Sequence, residues 1–260
     1  MPGYKDWIDA IDIEVDYFSA FMKAWIAFNA WYNNSGEVEG KTDKDCIEFI
    51  AEKTNRFKSY IMNLITADTS EGNIFRENVA GLHSKLLNAA ITTQEYLGTR
   101  QAISFSEVAV KNSNAREKFE FRNISYECSR AHGKITTVVT DTKNGSELFK
   151  LEQDGHDKNY LIQQSSYKYL SPERQRKCLE CYEKLKPYRI TSVLSSGTGK
   201  ITFGSYDFVN DPNTISHAIV IILYMLRCCL AHGDVSPDSG AKEVYHFAYE
   251  VLCAPLRKLK

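Results

Sequence analysis

The run Ala218-Ile-Val-Ile-Ile-Leu-Tyr-Met-Leu226 carries no charge over nine residues, and it ends in Arg227-Cys-Cys-Leu-Ala-His232-Gly233-Asp234. A bilayer span needs about 20 apolar residues, so this run is too short for one. Apolar on every side, it reads as a buried core helix. Asp211-Pro212 opens that helix, which is expected over 214–232. Gly233 tolerates the left-handed conformation that ends helices. Pro237 discourages continuation. One guanidinium and one imidazole therefore stand where a core helix reaches the surface.

Those two groups fit one chemistry. Arg is a permanent cation whose planar fork matches phosphate. His has a pKa near neutrality and can take and give a proton. Together they suit acid–base cleavage of a phosphodiester without a metal. Five residues at about 100° each put Arg227 and His232 about 140° apart around an ideal helix. A distorted last turn closes that gap, and so does a second copy of the helix brought in by a two-fold axis. The plainer alternative makes Arg227 a pairing or capping group and His232 an ordinary last-turn cation.

Composition narrows the classes. The chain has 260 residues, 43 % of them hydrophobic, enough for one large core or one core with an embellishment. Net charge is −1, from 32 basic and 33 acidic residues, so no global basic field advertises nucleic acid. The acidic N-terminal stretch lacks the long apolar core of a signal peptide, and no 18-residue apolar run marks a membrane span. Seven Cys is an odd number, and Cys228 and Cys229 are adjacent in the core helix. That fits a reducing cytoplasm better than a disulfide framework.

Around the core helix, hydrophobic spacing predicts helices over residues 4–33, 44–67, 73–97, 171–186 and 240–258. In the first, Phe18, Phe21, Trp25, Phe28 and Tyr32 form an aromatic stripe that reads as core. Asn29 sits within that stripe and needs a hydrogen-bonded reason to be buried. The helical period is lost between about 100 and 170. There Ile135–Thr140 is β-branched, and Asn144-Gly145 leads into Glu147–Leu151, which predicts a hairpin at about 134–153. Ile201–Phe203 reads as a short strand.

Other motifs carry less. Cys178-Leu-Glu-Cys181 lacks the further ligands that zinc needs. Arg130-Ala-His132-Gly133 echoes Ala231-His232-Gly233 without an apolar helix before it. Ser195-Ser-Gly-Thr-Gly-Lys200 does not fit the frame of a phosphate-binding P-loop. No metal and no cofactor is expected.

Three segments taken together resemble the HEPN superfamily. Trp25-Ile-Ala-Phe-Asn-Ala-Trp-Tyr32 is similar to an aromatic, Asn-containing helix found in a subset of that family. Asp211-Pro212 with Arg227-Cys-Cys-Leu-Ala-His232-Gly233 is similar to its R-x(4–6)-H motif. The amphipathic stretch 240–258 follows as it does there. The resemblance covers about 1–97 and 205–260. It implies a mainly α protein, an HEPN-like helical bundle forming a single domain over 1–260. Its helical core would be 1–97 and 205–260, with an α+β insertion, 98–204, containing the hairpin.

The resemblance also implies a homodimer that cleaves RNA without a metal. Arg227 and His232 of both protomers would be catalytic, with Asn29, Cys229 and Asp234 as supporting candidates. Products would be a 2′,3′-cyclic phosphate and a 5′-hydroxyl. The setting implied is cytoplasmic, in prokaryotic defence or a toxin-type stress response, with an antitoxin or an activator ligand as a further partner. Three features depart from the family pattern. Cys229 replaces an Asn of the nearest variants, Cys228 follows the Arg where others carry a polar residue, and Asp234 stands where a subset carries a modifiable Tyr. The alternative is a non-catalytic HEPN module that binds RNA, a nucleotide or a partner protein.

Overall fold

A computed structural model describes residues 15–93 and 102–260. The beginning of the expected helix 4–33 lies outside these residues, as do 94–97 of the expected helix 73–97, which in the described residues stops at Ala89. The described chain divides into two compact units. Of the described residues, one unit comprises 15–93, 102–108 and 191–260, and the other 109–190.

The first unit begins with α1 (Tyr17–Asn34), whose first turn is capped by the Asp16 carboxylate accepting from the Phe18 and Ser19 amides. Its stripe of Phe21, Trp25, Phe28 and Tyr32 is buried. Residues 44–67, expected as one helix, form α2 (Asp43–Glu52) and α3 (Arg56–Thr66). Asn55 makes the break. Its Nδ2 donates to the Ile50 and Lys53 carbonyls at 3.0 and 2.9 Å, and its Oδ1 caps α3 through the Lys58 amide at 2.9 Å. A side chain that satisfies both helix ends lets the chain turn where the hydrophobic period alone shows none.

Helix α4 (Ser70–Ala89) follows, and Ala90, with φ 46°, ends it in the left-handed region. Two strands after residue 191 pair as a hairpin, Lys200–Phe203 against Tyr206–Val209.

The long helix α5 (Pro212–His232) is capped by Asp211, has Pro212 in its first turn, and buries Ile215 to Leu223 without interruption. By length and composition it is apolar enough to cross a membrane, yet 61 % of its most apolar window is buried within the protein. It is a core helix, as its all-round apolarity requires. Helix α6 (Ser239–Leu256) packs back on the unit, and its Tyr245 hydroxyl donates to the buried Leu226 carbonyl at 2.7 Å.

The second unit is a four-stranded antiparallel meander with helices on one face. Its strands are β2 (Arg116–Phe121), β3 (Ile124–Ala131), β4 (Lys134–Asp141) and β5 (Glu147–Asp154), in that spatial order. Before and after it, β1 (Val108–Lys111) and β6 (Tyr188–Thr191) pair with each other. The hairpin after residue 191 supplies β7 and β8. One sheet face buries Tyr126, Cys128, Ile135, Val139 and Phe149 against Leu161, Tyr167, Cys178, Cys181 and Tyr182. The last three belong to the helix Pro172–Glu183, and Leu161 and Tyr167 to two short helices, Lys158–Gln163 and Ser165–Lys168.

The expectation of a mainly α protein is therefore corrected. Of the described residues about 52 % are helical and 21 % lie in strands, an α+β mixture. The hairpin at 134–153 is half of a larger sheet, and strands also occur in the first unit. Two of the three connections in the meander are two-residue turns. Arg122-Asn123 joins β2 to β3, and His132-Gly133 joins β3 to β4, all four residues having positive φ. The Arg130-Ala-His132-Gly133 echo is thus a strand end and its turn. Arg130 is consumed structurally, donating to the Asn112, Asn114 and Leu185 carbonyls.

Candidate functional site

A half-buried polar cluster joins α1, α2 and α5. Arg227 comes from the end of α5, Asn29 and Tyr32 from α1, and Asp43 from the first turn of α2. Arg227 Nη2 lies 3.6 Å from Asp43 Oδ2, with side-chain exposures of 29 % and 31 %. Asp43 Oδ1 accepts a short hydrogen bond from the Tyr32 hydroxyl and a 3.3 Å bond from Asn29 Nδ2. Asn29 Nδ2 also donates to the Tyr32 oxygen at 2.5 Å, and Asn33 Nδ2 donates to Asn29 Oδ1 at 3.0 Å. The hydrogen-bonded reason for a half-buried Asn29 is therefore Asp43. The start of a helix favours that carboxylate.

Two consequences follow for the groups themselves. Burial, reinforced by the hydrogen bond to Asp43, pushes the Tyr32 phenol well above its ordinary value, so it is a donor. Arg227 is oriented but not used up. Among the described residues its buried Nε has no hydrogen-bond partner, and Nη1 stands 4.0 Å from the Cys228 sulfur, so the terminal nitrogens are the ones that an anion can reach. A guanidinium held at one nitrogen and partly exposed keeps N–H groups for an anion.

His232 is the last residue of α5 and is exposed. What holds it is the helix end. Gly233, at φ +72°, donates to the Leu230 carbonyl at 3.3 Å, and Asp234 N–H donates to the Cys229 carbonyl at 2.9 Å. These two bonds make a Schellman cap, which fixes the backbone beneath the imidazole. Among the described residues no hydrogen bond or ion pair links His232 to Arg227.

The supporting candidates part company. Asn29 joins the Arg227 cluster, whereas Cys229 does not. Its buried thiol points to the Thr92 carbonyl at 3.6 Å, and burial, with Asp234 next, pushes it up to about 11. It is a neutral thiol near pH 7, and Cys228 is the sulfur beside Arg227. Asp234 acts through its backbone in the helix cap. Among the described residues no group of three or more His, Cys, Asp or Glu side chains could hold a metal ion.

Sequence reasoning missed Asp43 and Tyr32 as site residues. Tyr32 also belongs to the core stripe, and Asp43 follows a helix-starting Thr42. No local pattern links Asp43 to an Arg so far along the chain. No protein-family model, no curated protein and no solved structure matches the chain.

Proposed function

We propose that this protein is a metal-independent endoribonuclease that acts as a homodimer. The observation that carries this reading is the end of α5. There a guanidinium, steered by Asp43 and still partly exposed, shares a helix with an exposed imidazole on a capped turn. The resemblance of Arg227-x4-His232 and of the Trp25–Tyr32 segment to HEPN ribonucleases supports the same reading.

In the proposed reaction His232 removes the proton of a ribose 2′-hydroxyl. The 2′-oxygen then forms a bond to phosphorus as the bond to the 5′-oxygen breaks. The leaving 5′-oxygen takes a proton from the second protomer's imidazole. Arg227 offsets the charge that builds on the phosphoryl oxygens, where it counts most in the transition state. One chain does not bring Arg227 and His232 into contact, which is why the reading includes a second copy. An activator or antitoxin in a cytoplasmic defence or stress system belongs to the same proposal.

The chemistry is tested on a defined RNA by the nature of its ends. A 2′,3′-cyclic phosphate with a 5′-hydroxyl is expected. A 2′-deoxy substitution at the cut site should stop cleavage there, and cleavage through that substitution would refute the mechanism. The rival reading, a binding module without turnover, is favoured by the ion pair that partly neutralises Arg227. It predicts retention of RNA or nucleotide with no new ends.

A further inference from the structure

The overall charge of −1 hides an uneven division between the two units. Residues 109–190 hold 16 Lys and Arg against 11 Asp and Glu, whereas the remainder holds 16 against 22. The positive unit has an edge strand, β2, on which exposed Arg116, Lys118 and Glu120 alternate with half-buried Phe119 and Phe121. Lys177, from the helix Pro172–Glu183, stands over the Phe121 ring at 5.2 Å and the Phe119 ring at 5.7 Å. Arg122 stands over Phe121 at 5.0 Å. One phenyl ring on a sheet edge is thus flanked by two cations.

Arg122 holds that place against local preference. It lies at φ 49° in the two-residue turn between Phe121 and Ile124, a conformation that costs a residue bearing a Cβ and suits glycine. The two-residue turn demands this conformation, and His132 adopts it at φ 52° in the next turn; its effect is to hold the Arg122 side chain at the end of β2. The cations do have carboxylate partners: Glu173 accepts from Arg122 at 2.9 and 3.1 Å, and Glu180 from Lys177 at 2.7 Å. Arg122 is 72 % exposed and its partner Glu173 42 %, whereas Lys177 is 18 % exposed beside Glu180 at 48 %. The Arg122–Glu173 pair, open to water on both sides, is weak and can be exchanged for phosphate.

We propose that Phe119, Phe121, Arg122 and Lys177 form a single-stranded RNA-binding edge of the second unit. Arg122 and Lys177 trade their carboxylates for successive phosphates. The Phe121 ring they vacate takes a base by stacking, as sequence-tolerant RNA sites do. The choice of RNA among polyanions rests on the ribonuclease reading. The grip itself rests on the charge and the rings.

The test is fluorescence anisotropy of a labelled single-stranded uridine oligonucleotide with the full chain, in a His232→Ala background that does not cut. Arg122→Gly relieves the left-handed backbone, so its melting temperature should hold or rise; a purely structural role for Arg122 predicts unchanged binding. With Lys177→Gln added, Kd should rise about tenfold, as expected for losing phosphate contacts and the stacking they frame. The slope of log Kd against log salt should also shrink by roughly 1.4, for two single-strand phosphate contacts. Unchanged Kd and slope in the double variant, or no RNA binding by the parent chain, would overturn the proposal. Failure of the catalytic reading looks different: the unsubstituted protein would leave RNA uncut while this binding and its loss remained.

Discussion

Arg227 Nη2 and Asp43 Oδ2 stand 3.6 Å apart and connect the end of α5 to the first turn of α2. Both side chains are about a third exposed, so the pair adds about 1 kcal/mol or less to stability. Its value is directional. Tyr32 and Asn29 fix the Asp43 carboxylate, and the carboxylate fixes one side of the guanidinium. Asp43 is therefore a positioning residue. Asp43→Asn should lower kcat for RNA cleavage by roughly 10- to 100-fold with little change in KM, since a misplaced charge-stabilising group costs a few kcal/mol in the transition state. Asp43→Glu should recover part of that loss. A kcat unchanged by Asp43→Asn would show that the pair does not steer Arg227.

Gly81 in α4 predicts a sharp packing effect. A Cβ there would meet the Phe247 ring, with Cε1 at 2.3 Å, so the half-buried ring must move for alanine to fit. Gly81→Ala should cost roughly 1–3 kcal/mol through overpacking, despite alanine's better helix propensity. Adding Phe247→Leu should return much of it. Chemical denaturation of the two single variants and the double variant measures the coupling, and simple additivity would show that the helices can separate without cost.

Stability should fall on the alkaline side. Burial raises the phenols of Tyr32, Tyr224 and Tyr245 above their ordinary value. An unfolded tyrosine loses its proton near pH 10, whereas these folded ones keep it. Their contribution is complete below about pH 10 and is lost as pH rises beyond it, by up to about 1.4 kcal/mol per pH unit for each phenol. Melting temperatures between about pH 9 and about pH 11 should fall, and Tyr32→Phe should fall less steeply than the unsubstituted protein. Identical slopes would remove Tyr32 from this effect.

The helices of the first unit were legible because burial imposes a period. Phe21, Trp25, Phe28 and Tyr32 repeat at helical spacing, and Ala218–Leu226 has no polar side at all. Gly233 announced the helix end, and the Schellman cap uses it as expected. What escaped notice lacks a local signal. Strand β2 alternates charge with Phe as an edge strand should, but its six residues carry only two apolar side chains and no turn signal beside them. Its turn, Arg122-Asn123, has no glycine to mark it. Residues 44–67 kept their apolar spacing through a break made by one Asn side chain. At the site, Arg227, His232 and Asn29 could be picked out as unusual residues in apolar surroundings. Asp43 could not, because its partner Arg227 lies far away in the sequence and only the packing of α1, α2 and α5 brings them together.

The most direct measurement is cleavage of a single-stranded RNA in excess EDTA by the unsubstituted protein, Arg227→Ala and His232→Ala. All three should be shown by circular dichroism to be folded. The expected result is cutting by the unsubstituted protein alone, with each variant slower by at least about 100-fold, as for loss of a proton-transferring or charge-stabilising group. Cutting that persists in either variant, or that EDTA abolishes, would contradict a metal-independent ribonuclease built on the end of α5.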